Sequence, residues 1–165
     1  MKDFDNVIKT QVVIIGAGPT GLSLAAQLIR YDIDFIILEK NIETTILSKA
    51  IAVQSRTLEI FQELGLSEKA INEGRLTTGL RLFYKGKKRA AMDLKGLGEG
   101  LSAFPFALSL EQSKTEKLLA GHLIEKGKNI KWNAELIHFE QTDTAVFVYY
   151  KEGRGQEIKI EASDR

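Results

Sequence analysis

The sequence contains no cysteine. That excludes disulfides, thiol nucleophiles and thiolate metal sites, and it suits a reducing compartment, so the expected location is the cytoplasm. Histidine is scarce as well. His122 and His138 stand far apart in the chain, with no acidic or histidine partner at metal-ligand spacing. Both are expected to be structural, and no metal is expected. There is no excess of either charge: 23 Lys and Arg face 22 Asp and Glu, for a net charge of +1. Composition therefore gives no push toward nucleic acid or an acidic membrane surface. The one local basic run, Lys85-Gly86-Lys87-Lys88-Arg89, reads as a solvated hairpin turn. Long apolar runs are missing. The longest are strand-sized, and the first ten residues carry no apolar signal core, so neither a membrane-spanning helix nor a leader is expected. No internal repeat or low-complexity linker interrupts the chain. What remains is 165 residues, 44% hydrophobic and 27% charged, enough for one compact domain.

The apolar pattern divides this chain into recognisable elements. Gln11 to Ile15 is a continuous apolar run ending at glycine, the signature of a parallel strand covered on both faces. Residues 19–31 follow as a helix with Leu22, Ala25, Ala26, Leu28 and Ile29 on one face. A second buried strand, Ile33 to Leu38, ends at Glu39. Strand, turn, helix and strand in about thirty residues is the size of a βαβ crossover. Residues 41–54 show no period and read as loop. Ser55 is placed to cap a helix over 56–64 that Gly65 stops, and Ser67 to cap a second over 67–73 that Gly74 stops. The period then changes to two. Leu80, Leu82 and Tyr84 alternate, Gly86 turns the chain, and Arg89 to Leu94 returns, which predicts a β-hairpin. Residues 95–105 are glycine-rich and irregular. A short strand at 106–110 and an amphipathic helix at 111–126, stopped by Gly127, come next. A short strand at 129–132 and a meander over 136–141, 145–151 and 156–161 complete the reading.

The chemistry lies in VVIIGAGPTGLSLAA. Gly16, Gly18 and Gly21 form G-x-G-x-x-G. Gly16 permits the tight turn out of the strand, Gly18 lets a pyrophosphate approach the backbone, and Gly21 lets the helix pack closely on the sheet. Ala25 extends that close approach one turn later. The N–H groups near Thr20 and Gly21 at the helix start face the phosphates, with the helix dipole behind them. Pro19 suits the first helical turn, where its missing N–H costs nothing. Glu39, 18 residues beyond Gly21, ends the second strand and can accept hydrogen bonds from ribose hydroxyls. Its charge disfavours a 2′-phosphate there. The motif thus points to a dinucleotide, without separating FAD from NAD.

Two further stretches bear on that choice. SKAIAVQSRTLEIFQELGL, residues 48–66, resembles the segment after the second strand in FAD-dependent aromatic-ring hydroxylases, the single-component monooxygenases of para-hydroxybenzoate and phenol hydroxylase type. The shared pattern is a basic residue followed by Ala, then R-T-L-E, then a Leu-Gly pair. LSLEQSKTEKLLAGHL resembles the same family's Gln-x-x-x-Glu helix start. Order and spacing agree over residues 10–162.

The resemblance implies an α/β fold: a Rossmann-like βαβ FAD-binding domain with a parallel sheet and an antiparallel meander, incomplete at the C-terminus. Residues 1–75 and 106–165 would form the FAD-binding part. Residues 76–105 would belong to the substrate side. It implies that Gly16, Gly18, Pro19, Thr20 and Gly21 line the FAD pyrophosphate, and that Glu39 holds the adenosine ribose with Lys40 beside it. Lys49 stands where the family usually has Arg, near the pyrophosphate and flavin edge. Lysine keeps the charge and loses the bidentate fork. Gln112 would reach the pyrophosphate or ribityl region, and the backbone near Leu136 would face the adenine. Thr115 replaces a leucine common in the family. Arg56 and Glu59 read instead as an i, i+3 pair that stabilises their own helix.

The implied activity is monooxygenation of a small aromatic substrate with NAD(P)H and O2. The family's later motifs, an Asp-Gly strand and a Gly-Asp pair, are absent from these residues. The chain is therefore expected to be the N-terminal portion of a longer enzyme, inactive alone, and no catalytic residue is assigned. Another flavin oxidoreductase of the same layout, such as a reductase or halogenase, and a non-catalytic nucleotide-binding fragment are the alternatives.

Overall fold

The computed structural model describes residues 7–45, 52–96 and 98–163. They divide into two compact units. One holds the described residues up to Thr45 and from Leu119 onward; the other runs from Ala52 to Leu118.

The first unit opens with β1 (Ile8–Thr10), β2 (Val12–Ile15), α1 (Pro19–Arg30) and β3 (Phe35–Leu38). β2 and β3 run parallel, from Val12 opposite Phe35 to Ile15 opposite Leu38. β9 (Ile130–Lys131) joins β3 in parallel, giving the order β2-β3-β9. The expected strand–helix–strand crossover is therefore present, trimmed by a residue or two at its ends. α1 buries Leu22, Ala25, Ala26 and Leu28, the face expected from the apolar period. Burying each leucine fully contributes about 1.5–3 kcal/mol. Ile37 and Leu38 are fully covered in the central strand, as a parallel strand requires.

A meander of β10 (Ala134–Gln141), β11 (Val146–Glu152) and β12 (Glu157–Ala162) forms the unit's second sheet. Its register runs from Ala134 opposite Glu152 and from Val146 opposite Ala162. One face closes a core of Leu38, Ala134, Val148, Tyr150 and Ile160, with Ile8, Val13, Leu136 and Ile158 packed around it. β1, which the sequence pattern does not predict, adds to this sheet in parallel, Ile8 opposite Ile160. Gln11 separates it from β2, and the Gln11 side-chain oxygen accepts the Asp34 N–H at 2.9 Å.

The second unit contains β4 (Ala52–Val53), α2 (Ser55–Glu63), α3 (Ser67–Glu73), β5 (Arg75–Thr77), β6 (Gly79–Tyr84), β7 (Lys87–Asp93) and β8 (Ala107–Ser109). β4 and β5 flank β8, both antiparallel to it. α4 (Gln112–Glu125) begins in this unit and ends in the first. Ser55 and Ser67 are not the caps that their spacing suggested. Each lies inside its helix, and Gln54 and Leu66 occupy the cap positions without a side-chain bond. The backbone explains this: the Gln54 carbonyl already accepts the Thr57 and Leu58 N–H groups, and the Leu66 carbonyl accepts that of Ala70.

The helix stops behave as expected at Gly65. Its φ is +74°, and the Leu66 N–H reaches the Phe61 carbonyl at 2.7 Å, closing a Schellman turn. Gly127 ends α4 in the same way, with Lys128 bonded back to Leu123. Gly74 ends α3 in extended backbone, for a different reason. A Cβ there would lie 2.7 Å from the Leu108 side chain, so it is close packing that favours glycine. The hairpin β6–β7 turns on Lys85 and Gly86, both with positive φ, the geometry that matches strand twist. All of its residues are exposed, and Lys85 and Arg89 lie over the Tyr84 ring.

Candidate nucleotide-binding site

The end of β2, the start of α1 and the end of β3 meet at one place in the first unit. The Gly16 N–H donates to the Leu38 carbonyl at 2.7 Å, locking the turn to the neighbouring strand. Gly16 then takes φ +101°, which a side chain rarely adopts. Gly18 precedes α1 in extended backbone and provides no side-chain cap. Pro19 follows at the first helical position, so the early N–H groups of Thr20 and Gly21 point out of the helix start without an intrahelical acceptor. Among the described residues, a Cβ on Gly16 or Gly18 would meet nothing within 4 Å, so the space before the turn is open to them. At Gly21 the opposite holds: a Cβ would collide with the Gly16 carbonyl oxygen and press on Ile14.

Glu39 closes this turn from the other strand. It is buried, 9% exposed, and its Oε2 accepts the Ala17 N–H at 2.7 Å. Its Oε1 accepts the Asn41 N–H at 2.9 Å and the Asn41 Nδ2–H at 2.6 Å. Its own backbone N–H and carbonyl pair with Lys131 and Ala134. Lys40 is exposed beside it. Leu136 lies on β10, two residues beyond that Ala134 contact, partly buried against the core and opposite Tyr150. Gly16 to Gly21 and Glu39 thus come together, and Ala17 and Asn41 join them without having been predicted. A donor two residues past a strand-terminal Glu is the one sequence signal for Asn41.

Gln112 belongs to the second unit. It begins α4, and its Nε2 donates to Glu116 Oε1 at 2.8 Å, one turn on. Lys49 lies outside the described residues. Arg56 and Glu59 form the expected i, i+3 pair at 2.8 Å, and Ser102 Oγ adds a hydrogen bond to Glu59 at 2.7 Å. The Arg56 bond, with Ser102 behind it, holds the Glu59 carboxyl below the usual carboxylate range, while the Glu59 bond raises Arg56. A cleft of about 310 Å³ opens beside this pair, lined by Gln54, Ser55, Arg56, Leu94, Gly98, Pro105, Phe106 and Ala107. Near the meander, burial raises the Tyr150 hydroxyl, with Lys131 opposing. Burial works to lower Lys131, but Tyr150 and Glu152 outweigh it, and the net shift is upward. His122 is buried, and His138 stacks on Tyr149 with ring centroids 4.2 Å apart.

The profile of the FAD binding domain family matches residues 9–163. The chain belongs to that family. This FAD binding domain is 34% identical over 126 residues to a 6-methylpretetramide 4-monooxygenase of Streptomyces rimosus, covering 76% of this chain and 22% of that protein. It is 31% identical over 150 residues to an uncharacterized aromatic compound monooxygenase, YhjG, of Bacillus subtilis strain 168, covering 90% and 29%. In fold it matches the flavin-dependent monooxygenase PieE, solved with FAD and substrate, at a TM-score of 0.84 and 24% identity, over 94% of this chain and 29% of that one. The FAD binding domain therefore spans less than a third of these relatives. The resemblance to flavin-dependent aromatic-ring monooxygenases is borne out at the level of family, and the family's cofactor is FAD.

Proposed function

We propose that this chain is the FAD-binding portion of a flavin-dependent monooxygenase that hydroxylates a small aromatic substrate with NAD(P)H and O2. The observation that carries the reading is the glycine turn at Gly16–Gly21 clasped by Glu39. Backbone is bare and open where a pyrophosphate would lie, and an acceptor stands where an adenosine ribose would lie. These residues fit the adenosine-diphosphate half of FAD in a Rossmann-like βαβ frame. Bound FAD would pass electrons from NAD(P)H to O2, so that one oxygen atom enters the substrate ring and the other leaves as water.

The chain's own tasks follow from its donors. Gly18, Thr20 and Gly21 present N–H groups to the phosphates, aided by the α1 dipole. Glu39 accepts from the ribose, with Lys40 beside it and the Leu136 backbone toward the adenine. Lys49 and Gln112 are assigned to the pyrophosphate and ribityl side. The hairpin and loop of 76–105 are assigned to the substrate side, which the cleft near Arg56 and Phe106 supports. Purified protein titrated with FAD should quench flavin fluorescence saturably, and a chain that takes up neither FAD nor ADP would overturn the reading. NAD(P)H oxidation by the whole enzyme should be stimulated by phenols. Its absence would leave an FAD protein of another class.

A further inference from the structure

The Glu39 carboxylate is more constrained than ribose recognition alone demands. A carboxylate offers about four acceptor positions, two on each oxygen. Asn41 fills both on Oε1, through its backbone N–H at 2.9 Å and its Nδ2–H at 2.6 Å. The Ala17 N–H takes one on Oε2. Among the described residues, a single open acceptor is left, on Oε2, the oxygen that already touches the glycine turn. Asn41 is itself held: its carbonyl accepts the Asn133 N–H at 2.9 Å, and Glu39 is bonded through its backbone to Lys131 and Ala134 on the same turn. A flexible glutamate with three side-chain torsions is thereby fixed in one orientation.

We propose that Asn41 is a positioning residue for adenosine recognition: by occupying Oε1 it aims the free lone pair of Glu39 Oε2 at the ribose hydroxyls. This rests on the dinucleotide reading above. Asn41 acts through Glu39 and leaves the phosphates and the adenine to other groups. Its effect must therefore depend on the ligand's hydroxyls, whereas a scaffold role would weaken every ligand alike.

The experiment is calorimetric titration of the wild-type chain and of Asn41→Ala with ADP and with 2′,3′-dideoxy-ADP. Asn41→Ala should weaken ADP about tenfold, the loss of one charge-assisted hydrogen bond's worth of order. It should leave the dideoxy ligand's affinity unchanged. Asn41→Asp should lose at least as much ADP affinity, because a second carboxylate beside Glu39 replaces a donor with a like charge. Asn41→Ser, which keeps a shorter donor, should fall between wild type and Asn41→Ala. It supplies the same two-ligand comparison if Asn41→Ala does not fold. Equal weakening of both ligands would overturn the proposal in favour of a structural role. So would unchanged ADP affinity in a wild type that binds ADP, and the dinucleotide reading would stand. A wild type that binds neither ADP nor FAD removes both.

Discussion

At position 21 the constraint is steric, and at position 18 it is not. A Cβ on Gly21 would strike the Gly16 carbonyl oxygen, with Ile14 Cγ2 3.2 Å away, so the turn and the helix must separate to admit it. Gly21→Ala should therefore cost about 3 kcal/mol of stability, read as a lower urea midpoint. Gly18 has ordinary φ and open space around its Cβ position. Gly18→Val should keep its urea stability within about 0.5 kcal/mol of wild type and lose FAD binding, because the side chain would fill the pyrophosphate's approach. FAD bound as tightly by Gly18→Val as by wild type would put the site elsewhere. These glycines and Glu39 were legible in the sequence because their tasks are local: a turn, a helix start, a strand end. The Ala17–Glu39 hydrogen bond was not legible. It joins a backbone N–H to a side chain 22 positions on, and a backbone group leaves no mark in the residue code.

Among the elements, α2 carries the clearest pH response. Glu59 has its carboxyl lowered by Arg56 and Ser102, so the folded chain favours the ionised form more than the unfolded chain does. Its stabilisation is complete above the ordinary carboxylate range and is lost as pH falls through the lowered folded-state value. Glu59→Gln should melt below wild type at neutral pH, and the gap should close in acid; a gap of constant size would refute the pairing. In hydrogen exchange, the amides of the all-exposed hairpin β6–β7 should exchange well before those of β3. Helix stops at Gly65 and Gly127 were readable because a left-handed residue needs glycine. The caps sit one residue before Ser55 and Ser67, and capping chemistry alone does not fix that register. β1 and β5 escaped because IKT and RLT hold one apolar residue each, too few to show a period. β1 takes its partner from β12, about 150 positions on, and no local pattern announces such a pairing.

For the whole molecule, FAD offers two halves, adenosine diphosphate and the flavin with its ribityl chain. If the site at Gly16–Gly21 and Glu39 holds adenosine diphosphate as proposed, FAD and ADP should both raise the melting temperature, and FMN, which lacks the adenosine half, should not. Ligand at a hundredfold excess over its Kd adds about 2.7 kcal/mol, a rise of about 5–10 °C for a chain of this size. Equal protection by FMN would move the binding energy to the isoalloxazine side. The βαβ order and the meander were visible from apolar runs, whereas the division into two units was not, since it depends on where α4 changes from one unit to the other. The Glu39–Ala17 hydrogen bond also constrains any redesign of the nucleotide that this turn is proposed to hold. A substitution that removes the carboxylate to admit a 2′-phosphate also strips the acceptor from a buried backbone N–H, a loss of about 1–3 kcal/mol. On the proposed reading, ribose recognition and turn stability are tied to a single side chain. A redesign toward a 2′-phosphorylated nucleotide would need a second change that supplies Ala17 with a new acceptor.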